Sequence, residues 1–440
     1  MIMSLKTKVL AFVILLMAWP ALAEIKIEQV TSPHGIKAWL VENHDIPFVA
    51  LDIRFKGGTS LDPAGKRGAT NLMTALIEEG AGDLDSQGFA KARDGLAASF
   101  GFDSDQDGVG VSARYLTENR DQAIDLLHLA LTQPRFDPAA IERVRGQVLQ
   151  GIGADAKNPD AIAGNILRAA AFGSHPYGTV GDGTEPSVKA LTRDDLLAAY
   201  HGALARDRIY VAAAGDISAA DLGLMLDKLL GDLPATGLAQ PADAALAVKG
   251  GVVQQDFAGP QSAISFYQAG VKFGDPDYFA ATILNEIVGG NGFASRLMDQ
   301  VREKRGLTYG ISSSLADFDH AQLLQGSLAT ANDKAAQAIQ VIRDVWADLA
   351  KTGVTQKELD DTKTYLTGAY PLRFDGNARI ASILVGMQML GLPTSYPAER
   401  NAKVTSVTLA DVNRVAAQLL TPDKLTFVVV GKADGVKSSN

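Results

Sequence analysis

Leu191-Thr192-Arg193-Asp194-Asp195 opens an amphipathic helix that passes Asp207, enters the apolar run Ile209 to Ala214 and stops at Gly215. Val407-Thr408-Leu409-Ala410-Asp411 opens a second such helix, followed by Asp423, the strand Leu425 to Val430 and Gly431. The pairs Thr192/Thr408, Asp195/Asp411, Asp207/Asp423 and Gly215/Gly431 are all 216 positions apart, a register without a gap. Upstream, a strand from Phe48 to Phe55 runs on to Gly57 and Asp62-Pro63, and a strand from Ser262 to Ala269 runs on to Gly270 and Asp275-Pro276. Here Gly57/Gly270 and Asp62/Asp275 are both 213 apart. Two separate features at nearly one spacing identify a unit written twice.

Between the copies, Gly231 to Gly251 is rich in Ala, Pro and Gly, carries no apolar period, and reads as a linker. The organisation expected is therefore residues 24–230, a linker over 231–251, and residues 252–440. Within the first copy, apolar runs at Ile36 to Val41, Ala50 to Phe55, Val109 to Tyr115 and Ile209 to Ala214 read as strands. Ala69 to Glu79 and Pro138 to Leu149 read as helices. Helices and strands mix without strict alternation, which predicts an α+β fold: two homologous domains, each a mostly antiparallel sheet with helices packed on one side.

The 440 residues are enough for two or three domains at ~150 residues each. Hydrophobic residues make up 47% and charged residues 21%, as in soluble globular chains, so wholesale disorder is excluded. The net charge of −9, with no basic run interleaved with aromatics, gives a nucleic-acid partner no electrostatic support. The absence of Cys removes disulfides, thiolate zinc sites, iron-sulfur clusters and cysteine nucleophiles together.

Residues 1–23 have the pattern of a signal peptide. Lys6 and Lys8 precede an apolar run from Val9 to Trp19, and Ala21-Leu22-Ala23 offers a cleavage site before Glu24. The run is shorter than the ~20 residues a bilayer core requires, and no later run reaches that length, so no membrane span is expected. Export to a bacterial periplasm is the localisation expected, with a retained anchor as the alternative.

The usual chemistry motifs are missing. No two of the six histidines have the spacing of three or four that places both on one helical face for a metal. Asp103-Ser104-Asp105-Gln106-Asp107-Gly108 resembles the opening of a calcium loop, but its twelfth position is Arg114 and its flanks read as strands, which favours a polar hairpin turn over a cation site. Neither a phosphate-binding Gly-x-x-x-x-Gly-Lys-Ser/Thr loop nor a Gly-x-Ser-x-Gly elbow is present.

Gly289-Gly290-Asn291-Gly292-Phe293 is a Gly-rich turn that launches a helix of about three turns, which Gly306 ends; Leu307 to Ser314 follows as a strand. Arg302 near the helix end and Tyr309 near the strand start can point at one spot. On residue chemistry alone, Arg302 complements the helix dipole and Tyr309 packs at a sheet edge.

Gly289 to Ser314 resembles the second-half segment of the insulinase/pitrilysin-type zinc metallopeptidases, a family that includes the mitochondrial processing peptidases. His175-Pro176-Tyr177-Gly178, the run Leu191 to Leu196, and Asp62-Pro63 leading to Gly68 resemble its first-half signatures. The resemblance covers Glu24 to Gly431 and implies two halves facing each other across a chamber. In the family an inverted motif, His-x-x-Glu-His, and a distant Glu hold zinc, and the motif Glu acts as general base. The aligned positions here are Asn71, Thr74 and Ala75, with Gln150-Gly151 at the distant ligand's place. The resemblance therefore implies that no zinc is bound by this chain and that it is inactive alone.

The family's other contribution, an Arg/Tyr pair seven residues apart that binds substrate and stabilises the oxyanion, is matched by Arg302 and Tyr309. The implied role is the zinc-less subunit of a periplasmic heterodimeric peptidase. A homologous partner would carry the zinc, and unfolded peptides would bind as an added edge strand. An inert scaffold or peptide-holding module is the first rival; a self-sufficient peptidase with an unfamiliar metal site is the second. His175 is expected to satisfy backbone groups rather than touch substrate.

Overall fold

The computed structural model describes residues 25–439, so the expected signal peptide lies outside the described residues. Among the described residues there are thirteen strands: β1 (Glu28–Thr31), β2 (Lys37–Glu42), β3 (Phe48–Lys56), β4 (Gly80–Ala81), β5 (Leu84–Asp85), β6 (Ser99–Ser104), β7 (Gly108–Leu116), β8 (Ile209–Gly215), β9 (Gly251–Gln255), β10 (Gln261–Ala269), β11 (Thr308–Phe318), β12 (Ala321–Ala331) and β13 (Thr426–Val430). One sheet runs β1-β2-β8-β3-β7-β6, the other β11-β12-β10-β13-β9, and β4 and β5 form a small separate ribbon.

The repeat is visible strand by strand. β3 and β10 are each nine residues long and sit in the middle of their sheets. Each pairs antiparallel with the second strand of the long hairpin of its copy, β7 or β12, and with the last strand of that copy. The last strands, β8 and β13, each hold a parallel neighbour, β2 and β9. Both repeat signatures fold identically at their start. Thr192 and Thr408 cap the helices Arg193–Ala203 and Leu409–Leu419, accepting from the amides of Asp195 and Asp411, whose carboxylates accept back from the threonine amides.

Each sheet packs one face on helices of its own copy, with Leu40, Ile53, Phe55 and Leu226 in the first core and Phe266, Trp346, Leu349 and Phe427 in the second. The opposite faces are not bare. The helix Pro159–Phe172 of the first copy lays Ala163, Leu167 and Ala171 against Ala263, Tyr267, Val428 and Val430 of the second sheet. Reciprocally, the helix Asn377–Met389 of the second copy lays Leu384, Val385 and Met387 against Trp39 and Ala212 of the first. The small side chain of Ala212 lets that helix approach, and Gln388 Nε2 donates to Val211 O at 2.8 Å.

Two expectations about helix ends need correction. The helix starting at Ala69 ends at Thr74, not Glu79, because the amides of Leu76 and Ile77 reach back only three residues, to Met73 O and Thr74 O, and wind the chain into turns. The helix Pro138–Asp155 continues past Leu149. The linker has no helix or strand before Gly251, yet it is tied to both copies: Leu238 N donates to Gly202 O, Gln240 Nε2 to Lys56 O, Ala244 N to His320 O and Ala247 N to Ala171 O. It is a strap rather than a loose tether.

Candidate functional site

The short helix Ala69–Thr74 is held at its start by Asp62. This buried carboxylate accepts from the amides of Gly68 and Thr70 at 3.0 Å and from the Thr70 hydroxyl at 2.6 Å. Burial raises its pKa to about 6, against the pull of those hydrogen bonds. The Asp-Pro signature is thus a structural anchor for the helix that carries Asn71 and Thr74. Thr74 turns its hydroxyl back onto Thr70 O at 2.8 Å; Ala75, just past the helix end, has no donor atom, and Gly151 has no side chain at all. Zinc needs three nitrogen, sulfur or carboxylate donors converging on it. The residues at these positions do not fit it, and among the described residues no three His, Asp or Glu side chains gather where a metal could sit. The helix packs beside β6, whose outer side is a free sheet edge.

In the second copy, β11 is likewise an edge strand. The segment leading to it differs from the expected three-turn helix. Gly292–Ala294 forms one tight turn, and Met298–Glu303 is wound as a π-helix, with Lys304 N donating to Asp299 O. Gly306, at φ 57°, closes it in the left-handed conformation. The Arg302 guanidinium lies 4.6 Å over the exposed Phe293 ring, with Nη1 3.5 Å from Glu303 Oε1 and in no hydrogen bond. Tyr309 is 88% exposed. The π-wound turn packs on β11, so both residues belong to one edge of the second sheet, but no hydrogen bond joins their side chains.

His175 has the structural role expected of it: Nδ1 accepts from Tyr177 N at 3.2 Å, and Nε2 donates to Ala242 O at 2.9 Å. The reach of its neighbour was not foreseen. Tyr177 donates its hydroxyl to Asp107 and accepts from His320 N at 3.2 Å, while the other oxygen of Asp107 accepts from Asp319 N. Burial, and then the Asp107 carboxylate, pushes the Tyr177 phenol far above its ordinary range, so it stays a donor. Asp107 belongs to the hairpin that resembled a calcium loop, and that hairpin is a turn between two strands in which Asp105 accepts from the amides of Asp107 and Gly108. The latch lines a cleft of about 970 Å³ between the copies, where Arg54, Asp105 and Asp107 face Ser314, Asp319 and Gln325. Nearby on β3, burial first and Asp103 second raise Asp52 to about 6.

Residues 37–181 match the family described as insulinase (peptidase family M16), and residues 190–366 match the peptidase M16 inactive domain. A solved structure of a peptidase M16 inactive domain from Pseudomonas fluorescens has a TM-score of 0.88 and 30% identity, covering 94% of this chain and 99% of that one. The Helicobacter pylori protein named non-peptidase homolog YmxG is 25% identical over 392 residues, 88% of this chain and 90% of that protein. A probable mitochondrial-processing peptidase subunit beta of Schizosaccharomyces pombe is 23% identical, over 94% and 93% of the two chains.

Proposed function

The chain belongs to the insulinase-type peptidase family M16, and from that premise we propose that it is the non-catalytic subunit of an exported two-chain peptidase. It would work in the periplasm beside a homologous subunit that keeps the zinc ligands. The observation that carries this reading is the contrast between the two edges. The segment with Asn71, Thr74 and Ala75 brings no set of zinc ligands together, whereas the side chains of Arg302 and Tyr309 stand at the second edge and make no hydrogen bond among the described residues. A guanidinium and a phenol are donors suited to a peptide carbonyl and to the oxyanion formed when it is attacked. Metal-activated water belongs to the partner in this scheme; this chain grips and orients.

An unfolded peptide fits an open edge such as β6 or β11, where main-chain hydrogen bonds give affinity without sequence demands. The name of the H. pylori relative accords with a chain that does not cut by itself. The test is reconstitution with the zinc-bearing homologue. Replacing Arg302 by Ala or Tyr309 by Phe is expected to lower kcat for an unfolded peptide about a hundredfold, roughly 3 kcal/mol of transition-state stabilisation, with assembly intact. An unchanged rate in both variants supports the scaffold reading instead.

A further inference from the structure

We propose that Phe293 is a positioning residue for Arg302: its ring holds the guanidinium at the second edge while leaving the N–H groups free for a peptide carbonyl. This role rests on the reading of Arg302 as a substrate donor and adds to it the device that keeps the side chain in place. Arg302 has little else to hold it. Val301 and Met298 of the same π-wound turn are buried, which leaves Arg302 at the rim. Its side chain makes no hydrogen bond among the described residues, and its ion pair there, from Nη1 to Glu303 Oε1, is long at 3.5 Å. The remaining contact is the Phe293 ring, whose centroid lies 4.6 Å from Cζ. A carboxylate or carbonyl in that place would take up the N–H groups, whereas an aromatic face attracts the charge and consumes no donor.

The chain around Phe293 fixes where the ring stands. On one side the buried Ser295 donates its hydroxyl to Gly292 O at 2.8 Å and its amide to the same carbonyl at 3.2 Å, while Ala294 N donates to Asn291 O at 3.1 Å. On the other side the Gly-rich turn lies directly against the edge strand β11: a Cβ added at Gly289 would come within 2.5 Å of Ser313 Oγ and 2.8 Å of Ser313 N. Phe293 sits between these two anchors. Core packing does not account for its contact with Arg302. The two other arginine–aromatic contacts among the described residues, Arg343 over Phe427 and Arg400 over Tyr370, use buried rings, whereas Phe293 is 71% exposed. It is a surface ring standing against a charge, at the edge where that charge would meet a substrate.

The test is kinetic, in the pair reconstituted with the zinc-bearing homologue, with kcat taken per assembled pair on an unfolded peptide. Phe293→Ala is expected to lower kcat about fivefold and to leave KM within about twofold. Phe293→Tyr should keep the rate, and Phe293→Leu, apolar but without an aromatic face, should behave like the Ala variant. In an Arg302→Ala background, Phe293→Ala is expected to change nothing further, because the ring acts through the guanidinium. A rate lowered by Arg302→Ala and untouched by Phe293→Ala overturns the role of Phe293 and leaves that of Arg302 standing. Full activity of the Leu variant overturns it as well, as do losses that add in the double variant, which would make Phe293 a substrate contact in its own right. An unchanged rate in Arg302→Ala overturns both roles together.

Discussion

Asp52 sits on the central strand of the first sheet, burial and Asp103 raising it and Arg54 pulling it back, with a net value of about 6 against an ordinary 3.8. A carboxyl whose folded value is raised holds its proton more tightly folded than unfolded. Stability therefore falls as pH rises from about 4 to about 6 and stays at the lower level above that. Asp52→Asn removes the charge without changing the shape. Thermal melts are expected to show the variant more stable than the wild type above pH 6 and indistinguishable from it below pH 4. A variant less stable at pH 7 would mean that the Asp52 carboxylate has a favourable partner. Asp62 is raised to the same value by its burial, but there the three donated hydrogen bonds oppose the shift. The two acids of similar value therefore have different roles, one costly and one anchoring.

At the scale of elements, the capping boxes and strand ends of the two copies are the same device used twice. Thr408→Ala removes an acceptor from the first turn of Leu409–Leu419 and is expected to cost about 1 kcal/mol in denaturant melts, with Thr192→Ala costing a similar amount in the other copy. Gly215→Ala should be far worse. At φ 125° an added Cβ would lie 2.3 Å from Phe48 O, so a loss of more than about 2 kcal/mol is expected. These elements were legible in sequence because their signals are local: Thr-x-x-Asp before an apolar period, Gly after an apolar run. The repeat offset, 213 at Gly57/Gly270 and 216 at Gly215/Gly431, extended that reading to the fold class.

What was not legible was winding and long-range contact. Apolar spacing does not distinguish a π-wound turn from an α-helix, so the segment around Arg302 was read as a regular helix when Met298–Glu303 is not. The Tyr177–Asp107 contact joins residues 70 apart, and Arg400 of the helix Tyr396–Ser406 stacks on Tyr370, at the end of the helix Gln356–Ala369. No local pattern announces either. The positions of Arg302 and Tyr309 at one sheet edge could be anticipated from their spacing; the Phe293 face beneath Arg302 could not.

Across the whole molecule, the exchange of helices makes the two copies interdependent. Without its counterpart, each sheet would expose the apolar face that the other copy's helix covers. The Asp107–Tyr177 latch and the strap over 231–250 close the seam on the cleft side. Tyr177→Phe leaves the half-buried Asp107 with one donor fewer and is expected to cost about 1 kcal/mol. Hydrogen exchange should quicken at Asp319 and His320, whose amides the latch holds, while the sheet cores keep their protection. Unchanged exchange at those two amides would show that the latch does not hold the copies together.

The molecule as a whole is then a pair of fused halves that keeps the architecture of a peptidase without the donors for its metal. The most direct measurement is the zinc content and peptide hydrolysis of the purified chain, alone, after incubation with excess zinc and dialysis. The account predicts no retained zinc at stoichiometric level and no cleavage of an unfolded peptide. One tightly held zinc per chain, accompanied by cleavage without a partner, would contradict it.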